Sequence, residues 1–256
     1  MGVILGASKN FDFNTLYPWV STALATKNKV VMILMENNRT LETQLKGLGV
    51  DVITNPIPGN VVPHHERFRI QYEYLMNCNE EYAVVTDSRD VVFQTDPVDW
   101  MKNNLGSHSV VCSSEGLAYK NEFWGNQNLQ EGFPYLYETY KNNTIMNVGV
   151  LGGKTRAIAE LSLMIYSMCK HNPARVSDQS SFNILCGMNS LESFILKARS
   201  DAGWALHAGT WCKTNNFHLF EPNLLEHQPT FEGKVAKTHD GKTYAILHQY
   251  DRIAGY

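Results

Sequence analysis

Two aspartates, Asp87 and Asp90, interrupt an apolar run in Tyr82–Pro97, which reads YAVVTDSRDVVFQTDP. Carboxylates this close, with the Ser88 hydroxyl between them, suit a hard cation such as Mg²⁺ or Mn²⁺, which takes oxygen ligands and often carries substrate phosphates. A plainer reading is local: Asp87 caps a turn, and Asp90 pairs with Arg89 or another cation. What decides between them is which other groups converge on the pair. Other residues along the chain whose types could do chemistry are His248 at the end of an apolar run, Asp178 and Gln179 at the start of a helical pattern, Asn147 in a glycine-bounded strand with Gly149, and Arg67 on a helix. Three of them also have an ordinary structural explanation. Asp178 complements a helix dipole from the first turn, Arg67 is a solvated helix charge, and a lone histidine at a strand end is commonly structural.

The elements that must position these groups alternate between strand and helix. Val3-Ile4-Leu5 reads as a first strand, and Gly6-Ala7-Ser8 as a tight small-residue loop of the kind that lets a nucleotide approach backbone N–H groups. Leu16, Val20 and Leu24 share one face of a helix over Leu16–Thr26, with Pro18 fitting only in its first turn. Val30–Met35 is an uninterrupted apolar strand, Leu41–Leu48 a short helix closed by Gly47 and Gly49, and Val50–Ile53 the next strand. That order implies parallel pairing through right-handed crossovers. Beyond a loop marked by Pro56, Pro58, Gly59 and Pro63, the stripe Phe68, Tyr72, Leu75, Met76 forms a helix that leads into the Tyr82–Val85 strand. Open α/β sheets place ligands at the carboxyl ends of their strands. Asp87 and Asp90 stand at such an end, and a parallel sheet is expected to bring His248 to the same edge.

The second half is less regular. Ser109–Cys112 reads as a strand, and the aromatic stretch Gly116–Tyr140 as an irregular segment that lines a site or covers the core. Asn147–Gly153 is a strand, and Ile158, Leu161, Ile165 and Met168 mark a core helix. Ser177 is the N-cap type for a helix that buries Phe182 and Leu185. Asp201–Asn216, with Trp204, His207, Trp211 and Cys212, has no clean period, and Tyr244–His248 is a last strand.

A chain of 256 residues suits one large α/β domain or two small ones, and no repeat or linker divides it. A net charge of −3 gives no general attraction to phosphate backbones, so no nucleic-acid partner is expected. Five scattered cysteines without a C-x-x-C pair argue against a zinc site or disulfide framework and suit reduced thiols. No segment approaches the roughly 18–20 apolar residues of a membrane span, and the opening residues lack the features of a signal peptide. A cytoplasmic location is therefore expected, a trimmed luminal domain being the alternative.

In this order the features resemble the GT-A class of metal-dependent glycosyltransferases, and within it the retaining families of the family 8 type and the glycosyltransferase domain of lysyl hydroxylases. Thr86–Gln94, TDSRDVVFQ, is similar to their Asp-x-x-Asp metal motif, and Tyr17-Pro18-Trp19-Val20 to a recurrent early helix. The likeness runs from Val3 to Arg252; it is specific around 67–97 and loose over 100–145 and 190–240. It implies one Rossmann-like GT-A domain over 1–256 with a mixed, mainly parallel sheet flanked by helices. About 1–100 would be the nucleotide-binding half and about 101–256 the acceptor-binding half. It further implies that Asp87, Asp90 and His248 hold Mn²⁺ or Mg²⁺, and that Asp178 and Gln179 act beside the donor sugar near its anomeric carbon. Arg67 would hold sugar or phosphate oxygens, Asn147 would sit beside the sugar or acceptor, Gly149 would keep the strand surface open, and Ala7 and Ser8 would meet the nucleotide. The family 8 pattern follows its final histidine with a glycine and a lysine. This chain has Gln249-Tyr250-Asp251-Arg252, which makes Arg252 the candidate replacement for the diphosphate clamp.

The activity so implied is transfer of a sugar from a nucleotide-diphospho-sugar, a UDP-sugar by expectation, to a hydroxyl on a glycan, protein or small molecule, with retention of configuration. The residue types suit it: a divalent ion meets the charge developing on the diphosphate without proton transfer. Retention needs no strong base, whereas inversion needs a carboxylate or histidine near the acceptor hydroxyl, for which Asp178 or His207 could serve. A sugar-phosphate nucleotidyltransferase would need a longer, glycine-rich basic loop than Gly6-Ala7-Ser8-Lys9. A nucleotide-sugar-binding protein without turnover is the third reading, and only an activity assay separates it from the first.

Overall fold

Apolar runs rich in β-branched residues build a sheet, and amphipathic helices cover both of its faces. In the computed structural model, which describes residues 1–174, 176–211, 217–253 and 255–256, β1 (Gly2–Ser8), α1 (Phe13–Ala25), β2 (Lys29–Leu34), α2 (Arg39–Gly47) and β3 (Asp51–Thr54) form two parallel crossover units. α3 (Pro63–Leu75) leads into β4 (Tyr82–Thr86), which pairs parallel with β1. β5 (Val91–Phe93), α4 (Pro97–Asn104), β6 (Val110–Ala118), α5 (Phe123–Gly132) and the single turn α6 (Tyr137–Tyr140) follow. Then come β7 (Thr144–Lys154), α7 (Thr155–Cys169), α8 (Asp178–Cys186) and β8 (Ile195–Ala198). The seven-stranded sheet has the order β3-β2-β1-β4-β7-β6-β8. β7 runs antiparallel to both neighbours, and every other pair is parallel. This is an α/β fold with a mixed, mostly parallel central sheet. One face buries Phe68, Ile158, Leu161 and Phe182 from α3, α7 and α8, and the other Leu16, Trp19, Leu41 and Val98 from α1, α2 and α4.

Several expectations change in the structure. Gly6-Ala7-Ser8 is not a loop but the end of β1, since Gly6, Ala7 and Ser8 pair with Met32, Ile33 and Leu34. The glycine serves packing rather than a phosphate: a Cβ on Gly6 would lie 2.8 Å from the Trp19 ring and 3.1 Å from Ser88 Cβ. α1 begins earlier than its apolar spacing suggests because Asp12 caps it, accepting from Thr15 N at 2.8 Å; Pro18 therefore sits beyond the first turn. Ser177 occupies the N-cap position of α8 without using its side chain there. Its backbone N and hydroxyl instead face His65 Nε2, at 3.2 and 3.3 Å.

The end of the chain also differs. β9 (Ala205–His207), the single turns α9 (Ala208–Trp211) and α10 (Phe217–Phe220), and the hairpin β10 (Thr230–Glu232) and β11 (Val235–Lys237) precede β12 (Ile246–His248). β12 does not join the main sheet. It lies between β5, antiparallel, and β9, parallel, in a three-stranded sheet of its own. His248 therefore reaches Asp87 and Asp90 because β12 pairs with the strand that follows them. Cys78, Cys112, Cys169 and Cys186 are free thiols, while Cys212 and the rest of 212–216 lie outside the described residues. No helix among the described residues is long and apolar enough to cross a membrane.

Candidate metal centre and its cleft

The turn Asp87–Asp90 leaves the sheet where the parallel strands meet β7, and it is tied down on both sides. Asp87 N donates to Gly149 O on β7 at 2.8 Å, and Ser88 Oγ donates to Ala7 O on β1 at 2.8 Å. Val91 then starts β5, opposite His248 in register. Just past β12, Gln249, in the left-handed region at φ 61°, donates its N–H to Asp90 O at 2.6 Å. The consequence is convergence: donor atoms of Asp87, Asp90 and His248 all lie within 4.8 Å of one another. His248 Nε2 is 3.5 Å from Asp87 Oδ2 and 3.7 Å from Asp90 Oδ1. Cis ligands of an octahedral ion bound at ~2.1 Å stand ~3 Å apart, so the three donors would draw inward to hold one. Two carboxylates and an imidazole fit Mg²⁺ or Mn²⁺ and leave positions open for substrate oxygens. Asp90 also pairs with Arg89 at 3.1 Å, and Arg89 with Asp251 at 3.4 Å. The local partner and the convergent cluster are both present.

Arg67 is no solvated charge. It is 7% exposed, and its guanidinium bridges two carboxylates: Nη1 donates to Asp87 Oδ1, and Nη2 to Asp178 Oδ2 at 3.0 Å. Burial disfavours the cation, but the two carboxylates more than restore it and raise its pKa. Burial likewise opposes an ionised Asp87, yet Arg67 and His248 outweigh it and hold this carboxyl far below the usual range. One arginine thus fixes a member of the candidate metal cluster and the opening residue of α8.

His248 is oriented from behind by His207. The two rings meet edge to face, with centroids 5.2 Å apart and Nδ1 to Nδ1 at 3.0 Å. If Nε2 of His248 offers its lone pair to a cation, the proton sits on Nδ1 and points at His207 Nδ1. His207 then carries its own proton on Nε2, 2.7 Å from Ser113 Oγ. Burial and the neighbouring His248 push the His207 pKa well down, so it stays neutral and able to accept. Replacing His207 by phenylalanine should therefore lower Mn²⁺ affinity about 10–100-fold, as removal of such partners does elsewhere. Calorimetric titration of the folded variant checks this; unchanged affinity would mean that the His248 ring is oriented by other contacts.

Gly149 borders the cluster on its sheet side. A Cβ there would lie 2.7 Å from His248 Cε1, 2.8 Å from Asp87 Oδ2 and 2.9 Å from Asn147 Oδ1. Asn147 and Gln179 turn their amide nitrogens onto the buried Glu115, each donating to Oε1 at 2.7 Å. Their oxygens are taken by backbone: Gly149 N donates to Asn147 Oδ1 at 2.7 Å and Val148 N to Gln179 Oε1 at 3.1 Å.

These groups share a cleft of about 1460 Å³, above the roughly 300–1,000 Å³ of common small-ligand pockets. Asp87, Asp90, His248, Arg67, Asn147, Gly149, Asp178, Gln179, Ala7 and Arg252 all line it. Ser8 does not; it is fully buried in the sheet, and its hydroxyl meets no hydrogen-bond partner among the described residues. Arg252 reaches the wall beside Gly209, where a Cβ would lie 2.5 Å from Nη1. Sequence reasoning missed Glu115, Glu122 and the roles of Phe123 and Trp124, which also line the cleft. Glu122 caps α5, accepting from Trp124 N and Gly125 N at 3.3 and 2.5 Å; a Glu placed ahead of an aromatic pair was the available signal. A smaller hollow of about 490 Å³ beside β3, near Lys46, Asp51 and Tyr74, gathers no comparable set of groups.

No family model and no curated protein matches this chain.

Proposed function

We propose that the chain is a metal-dependent glycosyltransferase of the GT-A kind, moving a sugar from a nucleotide-diphospho-sugar, in the first instance a UDP-sugar, to a hydroxyl on a glycan, protein or small molecule. The observation that carries the reading is the Asp87–Asp90–His248 cluster at the carboxyl end of β4, inside a cleft large enough for a nucleotide sugar. Mn²⁺ or Mg²⁺ held there would neutralise charge developing on the departing diphosphate. The chain's own groups divide the remaining work. Arg67 keeps Asp87 ionised and in place, and Gly149 lets Asp87, His248 and Asn147 close in over the strand. Arg252, which also lines the cleft, would add positive charge to a bound diphosphate. Phe123 and Trp124, 59% and 47% exposed at the cleft, would give an acceptor apolar surface to rest on.

The test is calorimetry of UDP with the wild-type chain, in Mn²⁺ and in EDTA. Without a cation, the phosphates would meet Asp87 and Asp90 as like charges. UDP should therefore bind at least tenfold more tightly with Mn²⁺, and equal affinity in the two buffers would remove the metal-dependent reading. At about 100 times its dissociation constant, the UDP–Mn²⁺ pair should add roughly 2.7 kcal/mol of stability.

A further inference from the structure

Glu115 sits in an interrupted stretch of β6. The pairing of β6 with β7 shifts between Ser114 and Ala118, and Gly116, at φ 71°, lies flat against the Trp211 ring, where a Cβ would come within 2.0 Å. A bulge of this kind re-aims a side chain, and here the Glu115 side chain joins the cleft wall. The carboxylate is held by neutral groups. Oε1 accepts from both Asn147 Nδ2 and Gln179 Nε2 at 2.7 Å, and those amides cannot turn without giving up Gly149 N and Val148 N. Oε2 takes no hydrogen bond from a described residue. The other carboxylates of the cleft are committed: Asp87 and Asp178 to Arg67, Asp90 and Asp251 to Arg89, Glu122 to the end of α5. His207 has both ring nitrogens engaged. Asn147, which holds Glu115, also borders the position where a Gly149 Cβ would touch Asp87 and His248. Glu115 therefore stands one side chain away from the metal cluster.

Resting on the glycosyltransferase reading, we propose that Glu115 is the general base that deprotonates the acceptor hydroxyl. The acceptor proton passes to Glu115 Oε2 as the acceptor oxygen forms its bond to the anomeric carbon. The bond from that carbon to the diphosphate oxygen breaks, and its electron pair leaves with the nucleoside diphosphate. One displacement of this kind inverts the anomeric centre, in place of the retention implied by the sequence resemblance. The surroundings suit a base: burial, with Glu122 adding to it, raises the Glu115 pKa toward working pH. Of the titratable groups around it, Glu122 from the β6–α5 connection adds to this rise and His248 from β12 opposes it, while Tyr119 is itself pushed up by Glu115.

Hydrolysis of a UDP-sugar, with water as the acceptor, tests the proposal. The donor is whichever of UDP-glucose, UDP-galactose, UDP-xylose and UDP-N-acetylglucosamine the wild-type chain turns over fastest with Mn²⁺. Glu115→Gln keeps an oxygen for the two amides, so UDP–Mn²⁺ affinity should stay within threefold of wild type, which also shows that the variant is folded. Its kcat should fall about 10²–10⁴-fold with KM for the donor little changed, and the acid limb of the pH profile should vanish. Glu115→Asp should recover part of the rate. Proton NMR before mutarotation should show free sugar of inverted configuration. Hydrolysis by Glu115→Gln within tenfold of wild type, an intact acid limb, or a retained product each overturns the base while leaving the metal-dependent binding of UDP in place. A wild-type chain that binds UDP without regard to Mn²⁺ and turns over none of the donors overturns both readings together.

Discussion

Arg67→Met should destabilise the fold by about 3–5 kcal/mol at neutral pH, the loss expected when one member of a buried ion network is removed. The guanidinium is 7% exposed and neutralises Asp87 and Asp178 together. Without it, Asp178, whose side chain is 4% exposed, keeps a charge with no cation beside it. The Asp87 side chain is 32% exposed toward the cleft, so water recovers part of its share, and the loss belongs mainly to the Asp178 side. The pH dependence follows from the depressed Asp87 carboxyl. A lowered carboxylate contributes stability above its unfolded pKa of about 3.9, and that contribution is lost as pH falls through the folded value. Wild type and variant should therefore differ most near pH 7, and the gap should begin to narrow only below about pH 4, closing progressively toward the strongly lowered folded value. A cation in the cluster supplies positive charge from the other side of Asp87, so Mn²⁺ should stabilise Arg67→Met more than wild type. Arg67→Lys should fall between the two, because a single ammonium cannot span both carboxylates as a planar fork does. Urea denaturation of the three proteins with and without Mn²⁺ gives all of these numbers. A loss under 1 kcal/mol for Arg67→Met would mean that the two aspartates do not depend on the arginine.

What the sequence made legible were features written locally. The alternation of strands and helices up to Thr86 follows from apolar period and punctuation, and Asp87 and Asp90 stand out because two carboxylates three residues apart break one apolar run. Partners far along the chain leave no local mark. Arg67 meets Asp87 across 20 residues and Asp178 across 111, so its helix pattern alone reads as a surface charge. Gly6-Ala7-Ser8 looks like a loop until Trp19 is known to fill the space above Gly6. Glu115 was hidden by the irregular strand that aims it, since β6 runs on to Ala118 while its apolar run stops at Cys112. α5 escaped for a related reason: Leu129 is its one large apolar side chain buried in the core, which gives no period to find. His248 was reachable through the order of motifs, but the route by which it arrives, a short strand paired to β5, was not.

Gly149→Ala should lower Mn²⁺ affinity about 10–100-fold, besides costing the fold the roughly 1–3 kcal/mol typical of overpacking. The added methyl group would stand 2.7 Å from His248 Cε1, 2.8 Å from Asp87 Oδ2 and 2.9 Å from Asn147 Oδ1, closer than carbon tolerates at all three. None of these neighbours moves freely. His248 is backed by His207, Asp87 is held by Arg67 and by its own N–H on Gly149 O, and Asn147 is tied to Glu115 and Gly149 N. The methyl group must therefore displace a ligand by several tenths of an ångström, and cations of this type respond steeply to ligand geometry. Backbone strain adds little, because Gly149 is not among the glycines at positive φ. Gly152→Ala is the control on the same strand. Its Cβ would meet the buried Trp204 ring at 2.6 Å, so it should destabilise by the 1–3 kcal/mol typical of overpacking and leave the metal site untouched. The pair separates damage to the site from damage to the strand. With Gly149→Ala the thermal shift caused by Mn²⁺ should shrink by about 1.4–2.7 kcal/mol in free-energy terms, the equivalent of that loss in affinity. With Gly152→Ala it should persist at a lower melting temperature. If Gly149→Ala binds Mn²⁺ within twofold of wild type, the cation does not sit among Asp87, Asp90 and His248.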